Sequence, residues 1–269
     1  MEILFVLVGV VVTLVVLGWA GLRIRPKPFP ALTQDSGELK MQPLPQSLPS
    51  PVEHFYRQIY GDRVPVIESA VLTGRAKMRI IGITFPARFR FTHDAGRGYR
   101  HYIEATLFGL PLMKVNETYL NGESRLELPF GVEEGPEVDQ AANLGLWGES
   151  IWLPAILITD PRVRWEPIDE EAALLVVPFG EETQQFVARF DPATGMLHLL
   201  ESMRYKGTHS AGKTLWINEA LQWDTINGYP IPAVGAVTWL GQGTPWAVFT
   251  VEDVRYNVDV EDYVEAKGP

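Results

Sequence analysis

From Ile3 to Leu22 the chain carries no charged side chain, and Thr13 is the one hydroxyl in an otherwise apolar run. At about 1.5 Å of rise per residue, these 20 residues cover the roughly 30 Å of a bilayer's hydrocarbon core. A helix that is apolar on every side has no face for water, so residues 1–25 read as a transmembrane anchor and the membrane as a partner. A cleaved signal peptide is the rival reading, because Gly18-Trp19-Ala20 offers a small-x-small cleavage pattern. Against it, the chain has no Lys or Arg before the run and carries Glu2 there. Prolines at 26, 28, 30, 43, 45 and 49, with Gly37 among them, make residues 26–50 a semi-rigid linker that would hold a domain off the bilayer.

Beyond the linker the periodicity changes. Ser50 as N-cap, Pro51, Glu53 and Gly61 bracket a short helix with Val52, Phe55, Tyr56, Ile59 and Tyr60 along one stripe. Short β-branched or aromatic runs follow at 64–73, 76–83, 87–92, 99–107 and 112–120. Asn121-Gly122 reads as a type I′ hairpin turn. A second helical stretch spans 136–158, with Pro154 ending its first part. Strands then resume at 163–166, 172–179, 184–190, 196–205, 214–223, 231–239 and 246–258, with turn chemistry at Asp191-Pro192 and Asn227-Gly228. Many strands and two helical places predict an α+β domain with an antiparallel sheet over residues 51–262, and a tail at 263–269. Both halves run helix then meander, without a residue-level repeat.

With 46% hydrophobic and 21% charged residues, the chain can build a real core. The net charge of -10 repels polyanions, so no nucleic-acid partner is expected. Arg23, Arg25 and Lys27 follow the apolar run, which by the positive-inside rule puts the domain on the cytoplasmic side; translocation of a long domain is the alternative. The absence of cysteine excludes disulfides, thiolate zinc sites and thiol catalysis.

No catalytic residue, metal or cofactor is expected from spacing. His54, His93, His101, His198 and His209 lack the close spacing of paired ligands, and His93-Asp94 with Glu104 near His101 would meet through folding alone. Gly148-Glu149-Ser150-Ile151 lacks the second glycine of a nucleophile elbow. Arg164-Trp165-Glu166-Pro167 places Arg164 and Glu166 on one strand face and Trp165 on the other, a structural motif suited to cross-strand ion pairing with neighbours such as Arg204. An enzyme would need Glu166, a histidine and an arginine within hydrogen-bond reach.

Two stretches carry a resemblance. Trp152-Leu153-Pro154 and Arg162-Val163-Arg164-Trp165-Glu166-Pro167-Ile168-Asp169, with Phe190-Asp191 and Arg204-Tyr205, resemble an uncharacterised bacterial family, often membrane-anchored, marked by an Arg-Trp-Glu-Pro motif. The run from Leu221-Gln222-Trp223-Asp224 to Pro232, closing with Val254-Arg255-Tyr256-Asn257, resembles the last strands of the lipoprotein-localisation carriers, LolA and LolB and their relatives. That likeness implies a curved antiparallel sheet, a half-open barrel, wrapped on a few helices around an apolar hollow for acyl chains. Trp147, Trp152, Trp223 and Trp239 would then line the cavity and a hydrophobic ligand would fill it. The alternative is a filled core, in a non-catalytic scaffold that serves a protein partner at the membrane.

Overall fold

In the computed structural model, which describes residues 1–34, 36 and 39–268, the apolar run is one helix, α1 (Glu2–Arg23). It is long and apolar enough to cross a membrane, and the rest of the chain leaves its most apolar stretch uncovered. Near its C-terminal end the Arg23 guanidinium lies 4.5 Å from the centre of the Trp19 ring. Gly37, expected in the linker, and Pro269, expected in the tail, lie outside the described residues.

The first predicted helix is α2 (Ser50–Tyr60), shifted by one residue: Pro49 takes the N-cap position and Ser50 makes no capping bond. Gly61, at φ 74°, ends it. Its apolar stripe buries Val52, Phe55 and Tyr56. Beside it β1 (Met41–Pro43) and β2 (Arg63–Pro65) form a two-stranded pair, tying the end of the linker to the domain.

A single antiparallel sheet of 13 strands forms the rest of the framework. Its first meander runs through β3 (Ser69–Ile80), β4 (Ile83–Asp94), β5 (Gly98–Leu107), β6 (Leu110–Leu120), β7 (Glu123–Leu128) and β8 (Gly131–Glu133). The second comprises β9 (Arg164–Pro167), β10 (Ala172–Phe179), β11 (Glu182–Phe190), β12 (Leu197–Arg204), β13 (Thr214–Ile226), β14 (Tyr229–Trp239) and β15 (Ala247–Tyr256). The second meander returns so that β15 pairs with β3, leaving β8 and β9 as the outer edges. The sheet is curved and not closed, as expected. One difference concerns Gly74, which falls in the gap between the runs predicted at 64–73 and 76–83. It lies mid-strand in β3, where a Cβ would come within 2.1 Å of the Thr250 carbonyl oxygen, so the glycine permits a close approach of β15 rather than a break. Asn121-Gly122 and Asn227-Gly228 both have positive φ at each residue, as type I′ turns demand.

Between the meanders the chain crosses the inner face as α3 (Pro136–Gly148), a 3₁₀ turn at Glu149–Trp152, and α4 (Ile156–Thr159). Pro154 separates the last two, as predicted. The crossing is pinned by buried tyrosines: Tyr56 donates to the Pro154 carbonyl at 2.8 Å, and Tyr256 donates to that of Trp152. Tyr256→Phe leaves the Trp152 carbonyl without this partner and should destabilise the domain by about 2 kcal/mol, read from thermal unfolding in detergent.

Residues 26–30 do not stand the domain off from α1. Phe29 is buried on the outer face of the sheet against Tyr102, with the guanidinium of Arg88 4.4 Å from its ring centre. Arg88 and Arg90 donate to the carbonyls of Lys27 and Pro30. Burying an aromatic ring and satisfying two backbone carbonyls outweighs the extended preference that proline confers. The other end of the chain covers the same face: α5 (Glu261–Val264) packs there, and the buried Arg100 donates to the carbonyls of Tyr263 and Gly268.

Candidate functional site

Strand alternation brings an unexpected set of side chains onto the inner face. His93 pairs with Tyr99, Phe91 with His101, His101 with Glu117, and Tyr99 with Tyr119, so these odd-numbered residues of β4, β5 and β6 point under the helical crossing. Glu149, first residue of the 3₁₀ turn, meets them from above. His101 Nε2 lies 2.7 Å from Glu149 Oε2, an ion pair when the imidazole is protonated. His101 Nδ1 lies 3.8 Å from Glu117 Oε2, and Tyr99 donates to Glu117 Oε1 at 2.8 Å. The Tyr99 ring stacks on the His101 imidazole with centres 3.9 Å apart. His93 is completely buried, 5.5 Å from His101 ring to ring, and both its ring nitrogens lack a partner.

Burial alone would lower the His101 pKa, but Glu149 and Glu117 outweigh it and push the imidazole up to about 9. Burial, and then the charge of His101, holds His93 well below 6.5. Burial would raise Glu117, whereas its contacts with His101 keep it below the ordinary carboxylate range. At neutral pH the cluster therefore contains one neutral and one cationic imidazole. A one-atom donor from each of His93, His101 and Glu149 lies within 4.8 Å of the other two, so that among the described residues these three form a group that could hold a metal ion. Neither His93 nor His101 stands out by spacing in the sequence. The usable signal was parity on adjacent strands.

The residues expected to line a hollow are placed as follows. Trp147 and Trp152 belong to the helical crossing and fill the inner face, with Trp152 packed against Phe91 and Phe249 and its Nε1 donating to the Pro232 carbonyl. Trp223 is half-buried, packs on Phe55 and donates to the Leu197 carbonyl. Trp239 lies beneath the cationic ends of Arg204 and Lys206. Beside Trp152 a cavity of about 20 Å³ is lined by Glu149, Asn218, Gly235 and Phe249 among others, room for about one water. Trp147 and Trp152 are themselves buried in the crossing, 1% and 4% exposed. A wider groove of about 520 Å³ lies open at the surface beside Asp160 and Arg162. Arg164 and Glu166 share a face as predicted, but Arg164 Nε pairs with Glu166 at 3.0 Å along its own strand, and Arg204 lies over Trp216 instead. Trp165 points to the other face and donates to the Leu157 carbonyl; Pro167 ends this edge strand.

A second feature lies at the end of the sheet next to α1. The register puts the β3–β4 and β5–β6 turns and the β14–β15 loop at that end, with the Asn-Gly turns at 121–122 and 227–228 at the other. The turns beside α1 expose large apolar side chains: Ile81 is 93% exposed, Phe108 44% and Leu110 69%, with Ile83, Leu112 and Leu240 also open. Ile81-Gly82 (φ 48° and 78°) and Phe108-Gly109 (φ 54° and 74°) adopt the same left-handed pair of conformations as the two Asn-Gly turns. Asparagine tolerates that region, whereas a β-branched isoleucine or a bulky phenylalanine is strained there by about 1–2 kcal/mol. Phe108 also donates its backbone N–H to Gly21 near the end of α1 at 3.0 Å, and its ring lies where a Gly21 Cβ would be.

Fold and sites together define an α+β protein: one open antiparallel sheet filled by a helical crossing, with an apolar helix in front of it. The chain belongs to a family of unknown function, DUF6544, whose model matches residues 38–251. No curated protein matches it in sequence. Among solved structures it is similar to a DUF1329 family protein from Desulfovibrio piger, with 15% identity and a TM-score of 0.45 over 81% of this chain and 98% of that one. It is also similar to a LolA superfamily protein from Nitrosomonas europaea, with 12% identity and a TM-score of 0.48 over 81% of this chain and 96% of that one. Likenesses of this size carry neither a ligand nor an activity across.

Proposed function

We propose that the protein is a single-pass, membrane-tethered module whose domain lies against the bilayer and engages lipid, or another hydrophobic ligand, at that surface. Helix α1 is the anchor in this reading, and Arg23, Arg25 and Lys27 set the domain on the cytoplasmic side. The observation that carries the proposal is the choice of turn residue. Two of the turns that face away from α1 are Asn-Gly, whereas the two that flank α1 are Ile-Gly and Phe-Gly in the same left-handed conformation. Strain at an exposed apolar tip has a purpose if the tip enters an apolar phase. Trp19 and Arg23 are the residue types that mark the boundary of a bilayer, and Gly21, between them, touches Phe108. The tips therefore sit at the depth of the lipid interface.

The absence of cysteine allows a direct test. Single variants Ile81→Cys, Phe108→Cys and Leu240→Cys, labelled with a polarity-sensitive fluorophore in proteoliposomes, should show a blue shift and be quenched by lipid-borne quenchers. Asn121→Cys and Asn227→Cys should show neither. Ile81→Asn should stabilise the domain by about 1 kcal/mol through relief of strain while weakening contact of the neighbouring probes with lipid. If the tips report water throughout, the proposal fails, and the reading left is a scaffold that serves a protein partner.

A further inference from the structure

We propose that His93, His101 and Glu149 bind one divalent transition-metal ion, of the class that zinc represents, beneath the helical crossing. An ion cluster alone accounts for part of what is seen: His101 sits between Glu149 and Glu117 as a buried cation between two carboxylates. It does not account for His93. This imidazole is fully buried on the same face with two unpartnered nitrogens, and unpartnered buried polar atoms of this kind are rare because each costs about 1–3 kcal/mol. His101 Nε2 and Glu149 Oε2, 2.7 Å apart, lie beside it.

A metal ion among the three donors would give one His93 nitrogen a partner and share a centre with His101 and Glu149. Two imidazole nitrogens and a carboxylate oxygen are the ligand set of a borderline-soft divalent cation, bound at about 2.0–2.2 Å. Neighbouring ligands of a tetrahedral ion stand roughly 3.3 Å apart, so Glu149 would move back slightly from His101 while His93 comes closer. The surroundings suit an ion. Glu117 faces the other nitrogen of His101 and is itself held by the Tyr99 hydroxyl, a carboxylate partner of the kind that orients a metal-bound histidine. The cavity of about 20 Å³ that Glu149 and Asn218 line has room for about one water on the Glu149 side of the cluster. Glu117 and Glu149 each keep 16% of their side chains exposed, giving the ion a path from solvent.

The test uses the full chain in detergent, purified without a polyhistidine tag, stripped by chelator and then titrated with Zn²⁺ against a chromophoric competitor. One equivalent should bind and raise the melting temperature, and Co²⁺ in its place should give the visible absorption of a four-coordinate nitrogen and oxygen site. His93→Gln and Glu149→Gln should each weaken binding by more than the roughly 10- to 100-fold that losing an outer partner costs, while Glu117→Gln should fall within that range. His54→Gln, on the outer surface, should change nothing. Should the folded wild-type chain take up neither ion, or should folded His93→Gln and Glu149→Gln bind Zn²⁺ as tightly as the wild type, the proposal is overturned and the cluster is an ion pair network only. Because the wild-type titration needs no variant, a substitution that prevents folding does not remove the test.

Discussion

Trp147→Ala should lower the stability of the domain by about 3–5 kcal/mol, the usual result of removing a fully buried indole from a core that cannot collapse around the gap. Trp147 is 1% exposed and is among the largest side chains buried in the crossing. For a domain of this size the loss corresponds to a fall of roughly 10 °C in melting temperature. The same variant tests whether the interior is filled. An empty space lined by apolar atoms stays dry and admits small apolar molecules, so a hydrophobic fluorescent probe should bind the variant and not the wild type. Equal binding by both would mean that the wild-type interior already contains a hollow.

Gly74→Val should be at least as damaging, at about 3 kcal/mol or more. The added Cβ would lie 2.1 Å from the carbonyl oxygen of Thr250, a backbone atom fixed by the pairing of β15 with both β3 and β14. A flexible neighbour could turn aside, but a ladder carbonyl cannot. The joint between the two meanders must open, so the expected outcome is a lower melting temperature with loss of amide protection in β3 and β15, followed by hydrogen exchange. Unchanged protection in those strands would show that the sheet accommodates the side chain elsewhere.

Much of the framework was legible because it follows from local chemistry. The Asn-Gly turns, the stripe of α2, the break at Pro154 and most strands of both meanders depend on residues near in sequence. The short strands β1, β2, β7 and β8 were not separately legible, since three to six residues of mixed polarity give no periodic signal. The candidate sites were harder for a different reason. Period-2 alternation can put His93, Tyr99, His101 and Glu117 on one face, but the register that aligns them across three strands is a tertiary fact. Glu149 comes from a separate helical segment. Indoles suited to lining a cavity are equally suited to filling it, and nothing in their spacing distinguishes the two outcomes. Ile81-Gly82 read as the end of an apolar strand, because the turn chemistry that normally marks a hairpin is what these tips replace.

The pairing of the domain's first long strand with its last has a consequence for how the molecule is made. Arg75 and Glu252 meet across that joint although 177 positions separate them. Contacts so distant along the chain must await the end of synthesis, and their closure entropy slows the search for the native arrangement. Until β15 emerges from the ribosome, β3 has one free edge and the inner face lacks part of its cover, so the nascent chain is vulnerable to aggregation. On the proposed reading, in which α1 is held in a bilayer, that vulnerable interval would pass beside the membrane with its N-terminal end immobilised, and a tether would keep neighbouring copies from diffusing freely together.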